Sequence, residues 1–134
     1  MRRIQFDLEG DTLVADLHLP KGAGPHPAVI TGGPMTSVKE QVTGPYAKAL
    51  AARGIAALAI DHRYFGESGG IPRQYEHYPS KIADLQAGLS ALAEHPQIDG
   101  TRLGAVGVCL GSGYLAHAIQ DQPNVRALAA VAGY

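Results

Sequence analysis

A single cysteine, Cys109, stands in a chain of 134 residues. One thiol excludes an internal disulfide and fits a reducing compartment, so a cytoplasmic location is expected. It also poses a question, because an unpaired cysteine is either core filler or chemistry. Net charge is almost absent: 11 Lys and Arg against 12 Asp and Glu leave −1, which offers nothing to nucleic acid or to an anionic membrane surface. No apolar run is long enough to span a bilayer. Met1-Arg2-Arg3 has the charge of a signal-peptide start, but the mixed Ile4-Gln5-Phe6-Asp7-Leu8-Glu9 that follows is not an apolar core, and no leader is expected. There is no internal repeat and no low-complexity segment. What is present is 46% hydrophobic against 17% charged residues, the balance of a folded, soluble chain with a real core and, at this length, of one domain at most.

Periodicity supplies the architecture. Arg3 to Glu9 alternates, Gly10-Asp11 turns the chain and Thr12 to Leu19 runs back, which predicts a hairpin. After the Pro20–Pro25 loop come a short apolar strand at Ala28-Val29-Ile30, a helix from about Val38 to Arg53 closed by Gly54, and a continuous apolar strand at Ile55 to Ile60. Ser37-Val38-Lys39-Glu40 matches a capping box for that first helix. A polar loop spans Asp61 to Pro79. A helix after Ser80 carries Ile82, Leu85, Leu89 and Leu92 on one face and stops before Pro96. Leu103 to Val108 reads as a buried strand, Gly111 to Gln120 as a helix, and Val125 to Ala132 as one more buried strand. Strands alternating with helices imply a parallel α/β sheet whose function sits at the strand carboxyl ends: Thr31–Met35, Asp61–Tyr64, Cys109 and Ala132–Tyr134. Val131-Ala132-Gly133-Tyr134 follows an apolar strand with no closing helix, so a fragment is expected, or a chain that self-associates or takes a C-terminal complement through its last strand.

Gly107-Val108-Cys109-Leu110-Gly111 lies between a strand and a helix and matches the G-x-nucleophile-x-G elbow, with cysteine in place of serine. A nucleophile on so tight a turn takes a strained backbone, and glycine on either side removes clashes as strand and helix close up. A helix N-terminus favours an anionic group, and the thiolate is the reactive form of cysteine. The backbone N–H of Leu110 is a candidate oxyanion donor. The second donor is expected from Thr31-Gly32-Gly33-Pro34-Met35; Pro34 has no N–H, so Met35 is the first candidate and Thr36 the second. Arg63 and Tyr64 are candidate substrate-pocket residues by position, with bracing of the loop as the competing role.

Other patterns compete with the elbow. Gly66-Glu67-Ser68-Gly69-Gly70 matches G-x-S-x-G by letter, but no strand leads into it and Gly70-Ile71-Pro72 opens no helix, so it reads as a loop. Ser112 has Leu110 and Tyr114 at the positions where the elbow glycines should stand, and it reads as a first-turn helix residue. Gly107, Gly111 and Gly113 have the spacing of some dinucleotide-binding loops, which would make the chain an oxidoreductase. Against that, the loop follows a late strand, and the next strand ends without an acidic residue for a ribose hydroxyl. Among the 6 histidines, His62 and His77 alone lie where they could reach the elbow. Asp61, His62 and Glu76 form no spaced metal motif, so neither metal nor cofactor is expected.

Four stretches then carry a family resemblance: Gly33-Pro34 running into Ser37-Val38-Lys39-Glu40-Gln41; Ala57-Leu58-Ala59-Ile60-Asp61-His62-Arg63 with Phe65-Gly66-Glu67-Ser68-Gly69-Gly70; Ile98-Asp99 with Arg102-Leu103-Gly104; and the cysteine elbow. Together they resemble the first half of an α/β hydrolase of the dienelactone-hydrolase-like group. The resemblance implies a mainly parallel sheet of about eight strands with an N-terminal hairpin, of which this chain supplies roughly the first six. It also implies a Cys-Asp-His triad in that chain order, with the acid after the seventh strand and the histidine after the eighth, both beyond Tyr134. The expectation is the N-terminal part, 1–134, of one hydrolase domain that cleaves a small ester, thioester or lactone through a cysteine acyl-enzyme and is inactive alone. A non-catalytic or partner-completed half-domain is the alternative.

Overall fold

The chain opens on a hairpin whose two loop residues, Glu9 (φ 52) and Gly10 (φ 86), are both left-handed, the backbone that matches the twist of paired strands. They join β1 (Arg2–Leu8) to β2 (Asp11–His18) in antiparallel register from Arg2↔Leu17 to Leu8↔Asp11. The computed structural model describes residues 1–134, and the alternation continues as β3 (His26–Gly32), α1 (Thr43–Ala51), β4 (Ala56–Ile60), α2 (Tyr78–Glu94), β5 (Ile98–Val108), α3 (Leu110–Ala118) and β6 (Val125–Val131). The six strands form one sheet in the order β1-β2-β4-β3-β5-β6, with β4, β3, β5 and β6 parallel.

That order positions the site. β3 connects to β4 on one side, whereas β5 connects to β6 on the other, so the winding reverses between β3 and β5. Ligands of open α/β sheets bind at the carboxyl ends of the strands flanking such a reversal. Here those ends are level, with Gly32 of β3 in register with Gly107 of β5.

Two unequal cores hold the sheet. Leu17, Ile30, Leu58, Leu85, Leu89 and Leu115 are fully or almost fully buried where α2 and α3 pack on one face. Each such side chain contributes roughly 1.5–3 kcal/mol. The opposite face is thinner: Ala47 of α1 meets Ala57 and Ala59 of β4, beside Val29 and Leu50. β4 divides its residues between the two, with Ala56, Leu58 and Ile60 on the leucine side, which is why it reads as an unbroken apolar run.

Four expectations need correction. The first helix begins at Thr43, not Val38, and has no side-chain cap bond. Proline lacks an N–H and clashes with the carbonyl four residues back, so Pro45 fits only the opening turn. The capping box does not form: the Ser37 hydroxyl donates to Pro34 O at 2.8 Å, and Glu40 instead accepts from the Lys39 ammonium. The second helix starts at Tyr78, before Ser80, with Pro79 in its first turn for the same reason. The last strand is not buried: β6 is the edge strand of the sheet and Arg126–Val131 are exposed. No helix is long and apolar enough to cross a membrane.

Candidate active site

Cys109 occupies the one residue between β5 and α3, at φ 55 and ψ −126. A left-handed conformation at a residue other than glycine is strained and persists only when its surroundings hold it. Here they do. Its N–H donates to Val131 O at 3.0 Å, and its carbonyl accepts from the N–H groups of Ser112 at 3.0 Å and Tyr134 at 3.2 Å. The residue is half-buried, so the thiol is neither sealed in the core nor fully exposed. A Cβ on Gly107 would lie 2.5 Å from Ser112 Cα, so the strand closes on its own helix there. Gly111 has a different reason for being glycine: a Cβ there would strike the carbonyl of Gly32 and come within 2.7 Å of Gly33 N. The elbow helix therefore packs on the end of β3, and the loop that follows β3 emerges beside Cys109.

In that loop Thr31 is fixed by its hydroxyl on Leu58 O (2.9 Å), and Met35 is 55% exposed. The N–H of Met35 has no acceptor within the chain, whereas that of Thr36 donates to Glu76 Oε1 at 2.7 Å. Thr36 is thus committed elsewhere and Met35 is free. As the first residue of α3, Leu110 has no acceptor in its own helix.

Arg63 and Tyr64 differ in what is left over for a ligand. The Arg63 guanidinium is buried with each of its three nitrogens bonded: Nε on Asp84 (2.7 Å), Nη1 on Glu9 (2.8 Å) and Nη2 on Ser80 O (3.3 Å). Burial alone would lower its pKa, but Glu9 and Asp84 outweigh it and hold the charge above its usual range. Tyr64 is left-handed (φ 78) and half-buried, its ring 5.3 Å from that of Tyr75, which stacks on His77 at 5.0 Å. His62 is buried with Nδ1 3.1 Å from Asp84 Oδ2, and burial depresses its pKa despite that carboxylate. His77 Nδ1 lies 2.6 Å from the Ser80 hydroxyl.

Ser68 of the G-x-S-x-G lookalike is a brace: its hydroxyl donates to Asp61 O (2.6 Å) and accepts the Val14 N–H (2.8 Å). Ser112 is the first-turn residue expected, buried with its hydroxyl unpartnered. Glu40, Asp61 and Glu67 bring carboxylate oxygens within 4.8 Å of one another, the spacing of a cation site. Lys39 supplies the cation, its ammonium 2.6, 3.0 and 2.6 Å from the three.

A family model described as Esterase FrsA-like matches residues 1–133. The chain belongs to the FrsA-like esterase family. It is 38% identical to uncharacterized protein PA2218 of Pseudomonas aeruginosa over 130 residues, 95% of this chain and 35% of that protein. The crystal structure of PA2218 superimposes with a TM-score of 0.93 over 99% of this chain and 42% of that one. Esterase FrsA of Escherichia coli O157:H7 is 30% identical over 131 residues, 96% of this chain and 31% of FrsA. Dienelactone hydrolase from Anabaena variabilis shares the fold, with a TM-score of 0.80 at 19% identity over 98% of this chain and 62% of that one. The FrsA-like chain spans about a third of the length of the curated relatives named here. The dienelactone-hydrolase-like resemblance therefore holds at the level of the fold, and the family is FrsA-like.

The oxidoreductase alternative is not favoured in an FrsA-like chain, and its glycines explain why. Gly111 is filled by the backbone of Gly32 and Gly33, and a Cβ on Gly113 would lie 2.7 Å from Tyr134 O. These glycines admit protein backbone, not a pyrophosphate. Sequence reasoning missed Glu76, Lys81, Tyr114 and Asp84 as structural centres. Only their burial and long-range partners mark them out, and neither follows a local pattern.

Proposed function

We propose that this chain is the N-terminal part of a single α/β-hydrolase domain and that Cys109 is its nucleophile for cleaving small ester, thioester or lactone substrates. The observation that carries this reading is the strained Cys109 backbone, held at the β5–α3 turn where the winding reverses and beside a loop with an unpartnered Met35 N–H.

In this reading the thiolate attacks the carbonyl carbon, forming the C–S bond while the carbonyl π pair moves onto oxygen. The N–H groups of Leu110 and Met35 hold that oxyanion. Collapse re-forms the carbonyl and expels the alcohol or thiol, which takes a proton, leaving a thioester on Cys109. Water then adds, the acid leaves and the thiol regains its proton. Tyr64 borders the substrate, and Arg63 acts by bracing the loop that carries Tyr64. The acid and histidine that the resemblance implies follow strands beyond β6, so residues 1–134 alone acylate and then stall. The names esterase and dienelactone hydrolase borne by relatives support the substrate class, and a cytoplasmic setting suits a free nucleophilic thiol.

The test is trapping. Exposure to p-nitrophenyl acetate should leave an acetyl group on the peptide containing Cys109, read by mass spectrometry. Cys109→Ala should take up none while keeping its circular dichroism. Equal nitrophenol release by that variant would overturn the mechanism.

A further inference from the structure

We propose that Glu76 is the positioning residue of the oxyanion loop, its carboxylate tying the Thr36 N–H to the elbow helix. This inference rests on the hydrolase reading above. Three elements meet at this one side chain. Oε1 accepts the Thr36 N–H at 2.7 Å from the loop after β3. Oε2 accepts the hydroxyl of Tyr114 in α3, five positions past Cys109, at 3.1 Å. The ammonium of Lys81 in α2 reaches Oε1 at 2.9 Å and is itself almost fully buried, 4.6 Å from the centre of the Phe65 ring.

The arrangement solves a local problem. Thr36 has φ 58, a conformation that strains a β-branched residue. A charge-assisted hydrogen bond to its N–H holds it there. That same bond removes Thr36 from the donors and leaves Met35, one residue earlier, as the free N–H beside the elbow. Because the other carboxylate oxygen is bonded to α3, Glu76 links the loop carrying Met35 to the helix that follows Cys109. Burial would raise the Glu76 pKa, but Lys81, Thr36 and Tyr114 reverse the direction and keep it below the usual carboxylate range. Tyr114 is pushed up to about 12 by burial and by the Glu76 charge, so its hydroxyl stays a donor.

The same short segment does a second job. His77 is extended, at φ −129 and ψ 105, and successive side chains of an extended backbone point to opposite sides. Tyr75 and His77 stack with each other on one side, toward Tyr64, which leaves Glu76 for the other. The clamp and the aromatic wall therefore share one backbone.

The experiment uses this chain with Glu76→Ala, Glu76→Gln and Tyr114→Phe. Amide exchange by NMR reads the clamp without any catalysis. Exchange at Thr36 should rise about tenfold or more in Glu76→Ala while the β3–β5 amides are unchanged. Unchanged exchange at Thr36 overturns the clamp. Acetylation of Cys109 by p-nitrophenyl acetate needs an oxyanion donor, but alkylation by iodoacetamide does not. Glu76→Ala should slow acetylation about 100-fold while alkylation changes by less than about threefold, and Glu76→Gln should recover part of the loss. Equal slowing of both reactions, or of neither, overturns the positioning role. If the parent chain is never acetylated, the hydrolase reading fails and the positioning role with it, while the exchange data still decide the clamp. Tyr114→Phe, which removes one hydroxyl, gives the same two readouts with smaller changes should Glu76→Ala not fold.

Discussion

The backbone of Gly111, second residue of the elbow helix, rests on the carbonyl of Gly32, last residue of β3. Moving either one shifts the end of β3 or the start of α3, so the contact fixes the elbow to the loop carrying Met35.

A methyl group at Gly107 or Gly111 therefore meets backbone that cannot step aside. Gly107→Ala and Gly111→Ala should each cost about 3 kcal/mol in urea unfolding. Gly113→Ala would set its Cβ 2.7 Å from the backbone carbonyl of Tyr134, whose N–H is tied to Cys109 O, so this variant too should lose stability, by about 1 kcal/mol or more.

Strain at Cys109 gives a second expectation. Glycine adopts φ 55 without a Cβ penalty and alanine does not. Cys109→Gly should exceed Cys109→Ala in stability by about 1 kcal/mol, and denaturation midpoints of the two compare them directly. Equal stability would mean that the strained turn stores nothing.

Lys39 is the charge on which a junction of carboxylates depends. Burial works against its ammonium, yet Glu40, Glu67 and Asp61 together hold its pKa above the usual lysine range. Lys39→Met leaves the fully buried Asp61 without its counter-charge and should cost about 3–5 kcal/mol. Glu40→Gln removes only an exposed member and should cost less than about 1 kcal/mol.

His62 sets a pH dependence. Burial lowers its pKa below the ordinary 6.5, and the bond to Asp84 does not restore it. Below 6.5 the unfolded chain binds a proton that the folded one refuses, so stability is full above that value and falls as pH drops toward the folded pKa. The urea midpoint should be lower at about pH 5.5 than at about pH 7, and His62→Gln should shrink the difference. It will not abolish it, because His18 and His95 are lowered by burial as well.

The open side of β6 should make the isolated chain associate with rising concentration. Light scattering should show this, and Leu128→Lys, at a residue 37% exposed on that strand, should suppress it. A monomer at all concentrations would exclude pairing through this edge.

Much of the fold was legible because strand and helix periods differ and because β4 is apolar on both faces. The elbow was legible because its glycines are adjacent in sequence to the residue they serve. Helix α1 was misread where a capping pattern, Ser37 to Glu40, outweighed the meaning of Pro45. The Glu76 clamp was illegible for another reason: Thr36, Glu76 and Tyr114 are 40 and 38 positions apart, and nothing local links them. Arg63 stood at the right strand end for substrate, but only Asp84, 21 positions on, reveals where its charge goes.

The lysine among Glu40, Asp61 and Glu67 has a consequence for handling the protein. A tie between neighbouring loops is often made by a divalent ion, whose grip varies with its free concentration and disappears in a chelator. Here four methylenes leash the cation to the chain, so this knot should withstand EDTA and prolonged dialysis.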